Sequence, residues 1–154
     1  LIFLRFLGYN LIMNNKLPDT TITLDNVEKV YEYIFAPYVK HLKLSFLEIE
    51  VGRVVARLDN SEEYQFVTGA LSGQVLMSVI DTTMSIAMNT SLKSQRGTLS
   101  QNNNFIRPAF GDYFIIESVV QRFGSTIAIG ETKVYSENNK EDILCHATST
   151  FPLK

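Results

Sequence analysis

From Val75 onward, apolar residues return at helical spacing. Val75, Leu76, Val79, Ile80, Thr83, Met84, Ala87 and Met88 cover more than half of a helix circumference. A helix that apolar must be buried on most sides. The stretch Gly69–Leu92 is therefore expected to be the rod around which the chain is organised, reached through a small-residue turn. Between Glu63 and Lys93 the only charged residue is Asp81, in the middle of that rod. A carboxylate in an apolar setting is costly unless it is hydrogen-bonded or paired. Asp81 is thus either held by a neighbouring backbone group or hydroxyl, or kept there for chemistry.

On either side the period changes. Val27, Val30, Tyr31, Ile34 and Phe35 give residues 25–36 one apolar helical face. Asp25 and Glu28 stand as a capping box, and Pro37 is expected to stop the helix. From His41 the period is two. Leu42, Leu44 and Phe46 share one phase and Leu47, Ile49 and Val51 the other, so a bulge is expected at Phe46-Leu47. Gly52 separates this strand from Arg53–Leu58. After the long helix four strands are predicted: Gly97–Ile106 with its polar run Ser100 to Asn104, Tyr113–Arg122, Thr126–Tyr135 and Asp142–Phe151. Their lengths and short connections suggest an antiparallel meander. One helix buried on most sides needs a sheet that curls round it. A sheet of about six strands leaves an exposed edge, and dimerisation through that edge is expected.

At 154 residues and 45% hydrophobic content, residues 25–154 are expected to form one domain. Residues 1–24 are set apart as an N-terminal extension, with Met13 as an alternative start. The stretch LIFLRFLGYNLIM is too short to span a bilayer, and it carries Arg5. A net charge of −2 without a basic cluster argues against a nucleic-acid partner. The single Cys145 excludes an internal disulfide and makes no metal-ligand spacing with His41 or His146, so neither a metal nor an oxidising compartment is expected. The cytoplasm is the expected location.

Three pieces, in order, resemble the hotdog-fold acyl-CoA thioesterases of the phenylacetate-degradation (PaaI-like) group. They are Ser72-Gly73-Gln74 with Asp81 nine residues after Ser72, Asn104-Phe105-Ile106-Arg107-Pro108-Ala109 followed by Gly111-Asp112, and the closing Ala147-Thr148-Ser149-Thr150-Phe151. The resemblance covers residues 37–152 and implies a curled antiparallel sheet around one long helix, an α+β architecture. It also implies thioester hydrolysis at a composite site between two subunits, in a homodimer or a dimer of dimers, with no cofactor beyond the coenzyme A of the substrate. The family's His-Gly-Gly falls on Ser72, Gly73 and Gln74, so two of its three residues differ here. An Asn that some members carry just ahead falls near Phe66, beside Gln65.

The chemistry follows from the residue types. Backbone N–H groups of Gly73 and Gln74 at a helix N-terminus suit an oxyanion, and Gly73 lets an acyl carbonyl approach closely. Asp81 can act as nucleophile or as general base on water. The eight residues between Gly73 and Asp81 span about 12 Å of helix, whereas reacting groups must come within roughly 3–3.5 Å. Two chains are therefore expected to share each site. Ser72, Ser85, Asn102, Asn104 and Arg107 are candidate substrate contacts. Lys93, Arg96 and Arg122 join Arg107 as candidates for phosphates, and Met77, Met84 and Met88 for an acyl tunnel. Thr82 and Thr83 either hold the carboxylate or bond back to their own helix. Two other readings stay open: a hydratase, which needs a His–carboxylate pair near the helix start, and a degenerate site that binds acyl-CoA or only assembles.

Overall fold

The computed structural model describes residues 21–153, apart from positions 94 and 138. The expectations for residues 1–12 and for Met13 lie outside the described residues. Two short helices, α1 (Val27–Ile34) and α2 (Pro37–Lys40), precede the strands β1 (Ser45–Glu50) and β2 (Arg53–Asp59). A 3-10 turn (Glu62–Tyr64) leads to the long helix α3 (Gly73–Met88), and β3 (Ser100–Phe105), β4 (Tyr113–Phe123), β5 (Ile127–Ser136) and β6 (Ile143–Pro152) follow. All six strands form one antiparallel sheet in the order β1-β2-β4-β5-β6-β3.

The expected meander holds for β4-β5-β6 only. The chain leaving α3 runs to the far edge, where β3 pairs with β6, and then returns to pair β4 with β2. β3 is therefore an edge strand, and its polar run Ser100–Asn104 suits an edge better than the core. The bulge at Phe46-Leu47 is present as a register shift between Phe46 and Glu48. The strand begins at Ser45, not His41, because Lys43 turns the chain with φ 53°. Pro37 ends α1 but also starts α2, where its fixed φ suits a first helical position. The helix cap is Asn26, not Asp25. Its side-chain oxygen accepts from the backbone of Thr23, so no capping box forms. Ile22 is buried and donates its N–H to Asn89 O, so the packed body begins ahead of residue 25.

The inner face of the sheet holds Val54, Ala56 and Leu58 of β2, Phe114 and Ile116 of β4, Ala128 and Val134 of β5, and Ala147 and Phe151 of β6, all sealed against α3. Two inner features fit the helix to the sheet. Thr83 Oγ1 lies 2.9 Å from Ser118 Oγ, which lies 2.8 Å from Thr132 Oγ1, so three buried hydroxyls satisfy one another. Gly130 leaves room for Met84, whose sulfur would be 2.3 Å from a Cβ at that position.

The outer face is charged. Arg53 bridges Glu48 and Glu117, and His146 Nε2 lies 2.8 Å from Glu131 Oε1. That His146 bond, with help from Lys133, holds the Glu131 carboxyl below its ordinary 4.5. A carboxyl depressed on folding contributes stability above its unfolded pKa, and that stability is lost as pH falls through the lower folded value. Between pH 7 and pH 3, wild-type protein should therefore lose more denaturation free energy than Glu131→Gln, as read by urea unfolding at both pH values.

Candidate active site

Local stitching positions the start of α3. Gln65 and Leu71 form an isolated bridge that closes a tight turn with Phe66 and Val67 exposed at its tip. Leu71 N–H donates to Ala109 O and Ser72 N–H to Tyr64 O, so the helix start is tied to the Pro108–Ala109 segment and to the 3-10 turn. Ser72 is the N-cap. Its hydroxyl accepts from Val75 N–H at 3.4 Å. The first N–H groups of a helix have no partner within it, which leaves those of Gly73 and Gln74 to be met from outside. The Phe105 ring lies beside Gly73, where an added Cβ would stand 3.3 Å from it.

One stripe of α3 is not covered by the sheet: Gln74, Met77, Ser78 and Asp81; a turn further along the same line, Ser85 is buried. β3 runs along one side of this stripe in the opposite direction to the helix. Gly73 faces Phe105, the Met77 carbonyl accepts from Gln101, and Asp81 Oδ1 accepts from Thr98 Oγ1 at 2.5 Å. Tyr38 of α2 reaches Ser78 from the other side, 3.4 Å between oxygens. Asp81 is therefore not sunk in packed apolar protein. It is half-buried in a seam between helix and edge strand, with a hydroxyl orienting one carboxylate oxygen.

Gly73, Gln74, Ser72, Asp81 and Ser85 thus all lie on or next to one helix stripe. Asn102 and Asn104 do not join them. They project exposed from β3 on the face opposite Gln101 and Asn103, because side chains alternate along a strand. Arg107 is exposed and ion-paired with Asp142, and Lys93 donates to the carbonyls of Phe123 and Gly124 at the β4–β5 turn. Met84 and Met88 are fully buried packing residues, so of the expected acyl tunnel only Met77 reaches the surface. Thr82 and Thr83 hydroxyls bond back to Ser78 and Val79 carbonyls. His41 pairs with Glu63 beside the end of α2, and His146 pairs with Glu131 on the outer face of the sheet.

Sequence reasoning missed Thr98. It sits ahead of the strand proper, and a lone Thr in a polar run carries no signal of a carboxylate partner. Cys145 is fully buried, and burial pushes its thiol up to about 11, which removes it as a nucleophile. Among the described residues no three or more His, Cys, Asp or Glu converge on a metal position. No described helix is long and apolar enough to cross a membrane. An open cleft of about 440 Å³ lies on the outer face, lined by Leu47, Glu48, Arg53, Val55 and Tyr135 among others, on the other side of the sheet from Asp81.

A six-stranded antiparallel sheet curled round one long helix defines the hotdog architecture. Residues 68–143 match the family described as the thioesterase superfamily. A Saccharolobus solfataricus protein provisionally named an esterase is 28% identical over 125 residues, covering 80% of this chain and 86% of that one. A thioesterase structure from Haemophilus influenzae superposes with a TM-score of 0.76 at 20% identity, covering 88% of this chain and 93% of its own. The Escherichia coli PaaI protein of the phenylacetic acid degradation operon gives 0.73 at 18%, over 84% and 91%. A hypothetical thioesterase from Streptococcus pneumoniae, determined with coenzyme A, gives 0.65 at 17%, over 72% and 85%. The chain has the hotdog fold of these structures, and its residues 68–143 are similar to the thioesterase superfamily.

Proposed function

We propose that the protein hydrolyses acyl-CoA or related acyl thioesters at a site shared by two copies, Gly73 and Gln74 from one and Asp81 from the other. The observation that carries this reading is the Asp81 carboxylate, turned to the open stripe of α3 and oriented by Thr98. Pairing through the β3 edge brings two such stripes together. Exposed Leu99, Phe105, Ile106 and Phe110 in and around β3 supply the apolar surface that such a contact needs.

In the reaction, Asp81 takes a proton from water as that water attacks the thioester carbon. The carbonyl becomes an oxyanion facing the N–H groups of Gly73 and Gln74, with the helix dipole favouring the negative charge. Collapse of the intermediate breaks the C–S bond, and the departing thiolate takes up the proton. The products are a carboxylic acid and a free thiol. Ser72 caps the helix and so keeps its first N–H groups aimed outward. Arg96 and Arg122, both exposed, remain the better candidates for the phosphates, since Arg107 and Lys93 are already engaged. A dimer of dimers and a cytoplasmic location accord with the same reading.

The test is a thiol-release assay over short, medium, long and aryl acyl-CoA substrates. Turnover of at least one class, above the rate without protein, is expected. Tight acyl-CoA binding with no thiol released from any substrate would replace the enzyme by a binding protein.

A further inference from the structure

Of the three points at which β3 meets the open stripe of α3, the middle one is Gln101. Its amide nitrogen donates to the Met77 carbonyl at 3.2 Å and to Asn103 Oδ1 at 3.1 Å. Two acceptors at once settle which end of the amide is nitrogen. The amide oxygen is left buried with no partner. Ser149, the register partner of Gln101 on β6, is also buried, and its hydroxyl is likewise unpartnered. Unsatisfied buried polar atoms are rare because each forfeits its hydration. Two of them, directly across a strand pair, mark a place where an aliphatic side chain would pack at lower cost. What an aliphatic residue cannot supply is the bond from Gln101 to α3.

That bond ends on one particular carbonyl. In an α-helix the carbonyl of residue i−4 accepts the N–H of residue i, so Met77 O is the acceptor for the N–H of Asp81. We propose that Gln101 is a positioning residue for Asp81, pinning the helical turn that carries it against the edge strand through the shared Met77 carbonyl. The proposal rests on Asp81 being the catalytic carboxylate. Thr98, three residues earlier, fixes the carboxylate itself, so backbone and side chain of Asp81 are set by β3 and the segment that leads into it. That strand is also the edge proposed to meet a second copy. Placement of Asp81 and pairing of the copies are therefore mechanically linked.

The test replaces Gln101 with Leu, which keeps the bulk and removes the amide, and with Met as a second, more adaptable variant. Turnover should fall about tenfold in kcat with KM within about twofold, as for loss of a group that acts only on the transition state. In an Asp81→Asn background the same change should cost nothing more, because it acts through Asp81. A full additional loss there, or a loss expressed in KM, would overturn the proposal. Amide hydrogen exchange supplies a readout that needs no activity. The Asp81 N–H should exchange about tenfold faster in the variants, whereas Val79 and Met84 keep their wild-type rates. Unchanged exchange at Asp81 would also overturn it. Selective exchange at Asp81 in a protein without thioesterase turnover would leave the positioning role standing and sink the catalytic reading instead.

Discussion

Asp81→Asn is expected to abolish thioester hydrolysis, by at least about a thousandfold in kcat, and to leave the fold in place. A thousandfold loss corresponds to about 4 kcal/mol of transition-state stabilisation at about 1.36 kcal/mol per factor of ten. Asparagine keeps the size of the side chain and can still accept from Thr98, but it can neither take a proton at neutral pH nor attack a carbonyl. The cost to stability should stay near that of one hydrogen bond, about 0.5–1.5 kcal/mol, since the group is half-buried and not part of the sealed core. Thiol release measured beside a thermal melt separates the two effects. Turnover within tenfold of wild type would remove Asp81 from the chemistry.

Gly73→Val is expected to cost about 10²–10³ in kcat, the range seen when one oxyanion donor is lost. An added Cβ would press on the Phe105 ring at 3.3 Å, and the two γ-methyls would force that ring or the first turn of the helix to shift, moving the N–H groups proposed to meet the carbonyl. The helix itself should survive. Gly73 occupies its first position, Ser72 still caps it, and the backbone there needs no positive φ. Substrate affinity should change less than turnover if, as proposed, the N–H groups meet charge that develops during the reaction. Steady-state kinetics with the best substrate of the panel decide it.

Much of this architecture is legible in the chain because its two periods are clean. The helical repeat from Val75 to Met88 and the alternation in Tyr113–Arg122 each have one physical solution, and both elements appear where they are expected. The placement of β3 is not legible, since strand order depends on contacts distant in sequence. The lengths that suggest a meander also fit a crossover to the far edge. That misplacement governs the site. With β3 beside α3, the polar run divides by parity into Gln101 and Asn103 toward the helix and Asn102 and Asn104 away from it, and the pattern of residues alone does not say which parity wins. Met84 and Met88 illustrate the opposite difficulty. Apolar residues at helical spacing read alike whether they line a cavity or fill a core, and here Gly130 gives Met84 a packed seat.

The setting of Asp81 also turned on what its neighbours do. Its surroundings along the chain are apolar, yet the helix presents it on the one stripe the sheet leaves open. Thr98, whose hydroxyl holds it, arrives from seventeen residues away.

Mixing the two dead variants tests the shared site most directly. In a hybrid of Asp81→Asn with Gly73→Val, one site keeps both an intact Gly73 and an intact Asp81, each from a different chain. Random exchange of subunits makes half of the dimers hybrid, so a one-to-one mixture should recover about a quarter of wild-type turnover. If hybrid dimers form, as native mass spectrometry would show, and the mixture stays as inactive as its parents, each site lies within a single chain and the two-subunit account is wrong.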